Sequence, residues 1–74
     1  MTNINGEVWR VLIVPPHHPA LRTPDGSYTL GCCDDLVKTI FISNNLNDFY
    51  LQKVLLHELV HAAMFSYNVY LTYE

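Results

Sequence analysis

With 74 residues, half of them hydrophobic and 15% charged, the chain has the make-up of one small globular domain and not of a disordered segment. Its net charge is −3, and Arg10, Arg22, Lys38 and Lys53 are its only Lys or Arg residues, so it lacks the basic stripe that binding to a phosphate backbone requires; no direct nucleic-acid partner is expected. No apolar run approaches the roughly 18 residues of a membrane span, and the stretch Val11-Leu12-Ile13-Val14 behind a polar, uncharged start is too short for the core of a signal peptide.

The first element expected is a strand over Val8–Val14, β-branched and apolar, ended by Pro15-Pro16. All four prolines then fall within residues 15–27, which read as a loop with a turn at Pro24-Asp25-Gly26. A second strand over Tyr28–Cys33, a turn at Asp34-Asp35 and a third strand over Leu36–Ser43 form the simplest hairpin, with Thr39-Ile40-Phe41-Ile42 its most strand-like part. Ser43-Asn44-Asn45-Leu46-Asn47 is a polar break rich in helix-capping residues. From Asp48 to about Tyr67 there is no Gly or Pro, which predicts one long helix with acidic Asp48 in its first turn. Leu51, Val54, Leu55, Leu59, Ala62, Ala63 and Phe65 wrap most of its circumference and predict a helix largely buried, within the domain or against another surface. The fold class is therefore α+β: a small antiparallel sheet of about three strands followed by a long helix, all in one domain over residues 1–74.

A domain this small is marginal alone and usually needs a metal, a disulfide or a partner. Support from a second copy of the chain, or from sequence beyond residue 74, is one expectation. Adjacent Cys32 and Cys33 form neither a disulfide framework nor the CxxC spacing of a metal pair, and they fit a cytoplasmic protein.

The chemistry concentrates in His57-Glu58-Leu59-Val60-His61. Two histidines four apart on a helix project from one face a turn apart, close enough for both imidazoles to hold one zinc ion. Glu58, about 100° round the helix from His57, stands beside that face without occupying a ligand position. Zinc lowers the pKa of a bound water to about 7, and Glu58 is placed to take its proton and pass it to a leaving amine.

Leu55-Leu56-His57-Glu58-Leu59-Val60-His61-Ala62-Ala63 resembles the active-site helix of the zincin metallopeptidases. Within that group the hairpin ending in Thr39-Ile40-Phe41-Ile42 ahead of the helix looks most like the compact bacterial and phage-associated peptidases of the ImmA/IrrE type. The resemblance covers roughly residues 28–65. It implies a zinc cofactor held by His57 and His61, Glu58 as the catalytic base, and a peptide or protein substrate that pairs with the strand Thr39–Ser43. It also implies that residues 1–74 are the N-terminal half of such a fold, within a longer enzyme. The chain departs from the pattern in its third ligand. The metzincin positions for a glycine and a further histidine hold Met64 and Tyr67, so the gluzincin arrangement, with a glutamate on a later helix, is the nearer one. Glu74 is the only acidic residue after the motif and the one candidate for that ligand within the chain. His17 and His18 in the proline-rich loop are further histidines that could approach the site, and Tyr67 and Tyr70 could stabilise an oxyanion or simply pack. The alternative is a non-catalytic interaction module with a structural or vestigial metal site.

Overall fold

The structure, a computed structural model, describes residues 2–67. Five elements appear in chain order: β1 (Thr2–Ile4), β2 (Glu7–Val14), β3 (Gly31–Asp34), β4 (Thr39–Ser43) and α1 (Asp48–Ser66), with one 3-10 turn at Pro19–Leu21. The class is α+β, as expected. The sheet has four strands in the order β1-β2-β4-β3 and is mixed, not antiparallel throughout.

Two short hairpins build it. Asn5 and Gly6, at φ 50° and 83°, form a tight reversal of the kind that matches strand twist and pair Thr2 with Trp9 and Ile4 with Glu7. The second hairpin joins β3 to β4, pairing Gly31 with Ile42 and Asp34 with Thr39. The turn lies later than the sequence implies, across residues 35–38, because Asp34 accepts from the Leu36 amide and Lys38 takes φ 52°. Lys38 is held in that left-handed conformation by ion pairs to Glu7 and Asp35, and its carbonyl accepts from the Arg10 amide.

The hairpins join through β2 and β4, which run parallel with Arg10 opposite Thr39 and Val14 opposite Ser43. A parallel pair needs a crossover, and residues 15–38 supply it. This corrects the expected role of Thr39–Ser43. It is an interior strand, with β2 on one side and β3 on the other, and has no edge left to take up a peptide. The edge on this side of the sheet belongs to β3.

Successive residues of a strand face opposite sides of the sheet. On one side Trp9, Ile40 and Ile42 are fully buried beneath α1, packed with Ile4, Val11, Cys33, Leu51, Val54, Leu55 and Leu59. On the other side the 15–30 loop covers Phe41 with the ring of His18, at 5.8 Å between centroids, and buries Leu21 completely. Asn47 caps α1 by accepting from the Tyr50 amide. The far end of the helix is tied to the first hairpin. The Trp9 indole N–H donates to Ser66 Oγ at 2.8 Å and Asn5 Nδ2 donates to the Ser66 carbonyl at 2.9 Å.

The helix is less buried than its composition predicts. Only Glu58 and Ala62 are buried, whereas Phe49 and Leu56 are 64% and 63% exposed and Val60 is 47% exposed. A single sheet face can cover only one side of a cylinder, so the apolar residues opposite Ala62 look outward.

Candidate active site

The helical period brings His57, Glu58 and His61 together as their spacing predicts. The His57 and His61 rings meet edge to face with centroids 4.7 Å apart, and their Nε2 atoms stand 3.1 Å from each other. Two donors about 2.0–2.1 Å from a tetrahedral zinc would be about 3.3 Å apart, so the pair has the spacing of two ligands on one ion. The same distance allows one ring to donate its Nε2 proton to the other. Both arrangements place the two polar edges at a common point.

Glu58 turns out to be the buried member of the motif, at 8% exposure, whereas His57 is exposed and His61 half-buried. Its carboxyl lies against the edge strand. A methyl group built on Gly31 would stand 3.3 Å from Glu58 Cγ and Oε2, and only 2.6 Å from Val54 Cγ1. A glycine in a strand often marks such a close approach. Burial pushes the Glu58 carboxyl above its ordinary pKa, while the neighbouring His61 and His57 pull it back down.

Between the edge strand and the helix lies a cleft of about 370 Å³. Thr29, Leu30 and Gly31 form one wall, and Tyr50, Lys53, Val54, His57 and Glu58 the other. Sequence reasoning missed Gly31 and Lys53. Both carried a signal: a lone glycine inside a strand pattern, and a cation four residues before His57 on the same helical stripe.

The remaining candidates do not gather here. His18 stacks on Phe41, and Phe41 alternates with the helix-facing Ile40 and Ile42, so His18 belongs to the opposite side of the sheet. His17 meets Tyr28 edge to face. Tyr67 is the exposed residue that ends α1. Glu74 and Tyr70 lie outside the described residues. Among the described residues no group of three His, Cys, Asp or Glu side chains could hold a metal ion, so the structure brings together two potential ligands and not a third. Also among the described residues, no helix is long and apolar enough to cross a membrane.

No family model, no curated protein and no solved structure matches the chain.

Proposed function

We propose that the chain is the catalytic core of a zinc-dependent metallopeptidase, a hydrolase of the zincin kind, with residues 2–67 forming the N-terminal half of such a fold. The observation that carries this reading is the meeting of the His57 and His61 Nε2 atoms 3.1 Å apart beside a buried carboxyl, at the mouth of a cleft bounded by a sheet edge. A zinc ion held by His57 and His61 would supply Lewis acidity, polarising a carbonyl and acidifying water. Everything else falls to the chain. The Glu58 carboxylate accepts a proton from the attacking water and delivers it to the leaving amine. An extended peptide lies along the outer edge of β3, where main-chain hydrogen bonds align its carbonyl with the histidine pair. The third ligand is a side chain outside residues 2–67, with Glu74 the candidate within the chain. Two free thiols, at Cys32 and Cys33, suit the reducing cytoplasm.

Metal analysis of chain purified without chelators tests the site. One zinc per chain is expected in the wild type and in Glu58→Gln, with loss in His57→Ala, and peptide hydrolysis is expected to fall at least about a hundredfold in Glu58→Gln. A Glu58→Gln protein that keeps both its zinc and its full activity would sink the mechanism.

A second reading is favoured by the outward apolar residues Phe49, Leu56 and Val60 of α1. On it the domain is a binding module docked through the helix, the histidine pair being structural or vestigial. A chelator-insensitive dimer that takes up no zinc would favour that reading.

A further inference from the structure

The cleft contains one Lys or Arg side chain. Lys53 lines it, four positions before His57. Helical positions four apart lie on one stripe, about 6 Å apart along the axis. Lys53, His57 and His61 therefore form a row, with the ammonium one turn before the imidazole pair. The Lys53 Nζ is seated over the rings of Phe49 and Tyr50, 5.2 Å and 6.0 Å from their centroids. An aromatic seat holds a cation in place without neutralising it. The Lys and Arg ion pairs found among the described residues are both made by Lys38.

The charges in the cleft are therefore sorted. Ser43 donates to the Leu30 carbonyl and α1 begins five residues later, so the Leu30 end of the cleft is the end at which the helix starts; Lys53 lies towards that start, over Tyr50, and Glu58 lies against Gly31. An anionic group on a substrate is attracted to the first and repelled by the second. Strand direction then decides where on the peptide that group sits. β3 runs from Gly31 to Asp34, so the Leu30 end of the cleft lies at its start. A peptide paired antiparallel to β3 sends its C-terminal residues towards that start, and so towards Lys53.

We infer that Lys53 determines specificity by selecting peptides with a carboxylate on the C-terminal side of the cleaved bond. The carboxylate is an acidic side chain or the peptide's own C-terminus. This rests on the peptidase reading of the site. The chain as a whole is acidic, with net charge −3, so an anionic peptide meets general repulsion and gains attraction at this position.

The test uses three N-acetylated Ala-based hexapeptides, titrated at low salt into zinc-supplied Glu58→Gln protein with amide chemical shifts as the readout. One carries Glu and a C-terminal amide, one carries Gln and a free C-terminus, and one carries Gln and an amide. One or both of the charged peptides should bind about fivefold more tightly than the neutral one, the scale of a partly exposed ion pair. Which of them does so identifies the source of the carboxylate. The advantage should vanish in Lys53→Met and reverse in Lys53→Glu, where the neutral peptide should bind more tightly than the charged ones. Equal affinities, no binding by any peptide, or a preference that survives Lys53→Met overturns the assignment. Wild-type zinc content and hydrolysis report separately on the peptidase reading. A carboxylate preference lost in Lys53→Met, in a protein that hydrolyses nothing, withdraws the peptidase reading and leaves Lys53 as the anion-selecting residue.

Discussion

At the scale of single residues, Gly31 decides how closely the edge strand can approach α1. Its missing side chain leaves the room that Val54 Cγ1 and the Glu58 carboxyl occupy. Gly31→Ala would put a methyl group 2.6 Å from Val54 Cγ1, and backbone or side chain must then move. Overpacking of this kind costs about 1–3 kcal/mol. Urea unfolding should show that loss, and adding Val54→Ala should restore part of it. A Gly31→Ala protein as stable as the wild type would mean that strand and helix are not in tight contact here. Cys33, on the same strand, faces the core. Burial raises its thiol to about 12, with the Glu58 charge adding to the effect. The folded value thus lies above the ordinary 9.0. The contribution of this thiol to stability is complete below pH 9 and is lost as pH climbs from there towards 12. At pH 8 its alkylation by iodoacetamide should be at least about a hundredfold slower than that of the urea-unfolded chain, because the thiolate is the reactive form. Equal rates would place Cys33 in solvent.

Elements differ in how far local sequence determines them. The helix was legible because nineteen residues without Gly or Pro follow a capping side chain, and both signals are local. Asn47 accepts from the Tyr50 amide, one of the donors that a helix start leaves unmatched. Asn47→Ala should cost about 1 kcal/mol in thermal or urea unfolding, with little change in metal uptake, since the cap lies more than two turns from His57. Full stability in that variant would show that the first turn is held by other contacts. The β3–β4 hairpin was legible for a similar reason, although its turn shifted once Lys38 adopted the left-handed conformation. β1 was missed because Thr2-Asn3-Ile4 has one apolar residue and looks like a polar tail. The sign of it was Asn5-Gly6, a pair suited to two successive left-handed residues. The parallel pairing of β2 with β4 had no local sign. It depends on how the 15–38 segment packs across the sheet, and so an antiparallel sheet was the simpler expectation.

For the whole molecule, the part of the site that was legible is the part carried by one helix. The relative positions of His57, Glu58 and His61 follow from helical geometry alone, and the structure places them accordingly. Gly31, Leu30 and Lys53 become neighbours only after the sheet edge docks on α1, and no spacing along the chain announces that. The burial of Glu58 has the same origin, because the residue that covers it is 27 positions earlier. Apolar composition misled in one respect. It overstated the burial of α1, since a four-stranded sheet covers one side of a helix and Phe49, Leu56 and Val60 remain outside. The domain is thus built from two local hairpins, joined by parallel pairing and closed by a helix whose last turn returns to the first hairpin. That closing contact is the bond from Trp9 to Ser66, across 57 positions of sequence. Trp9 is also the only tryptophan in the chain. Its indole is buried when the helix is seated and released to water when the helix lifts. The protein therefore carries a built-in optical reporter: tryptophan emission follows the docking of the helix that bears the histidine pair, in refolding or during metal titration, without any label.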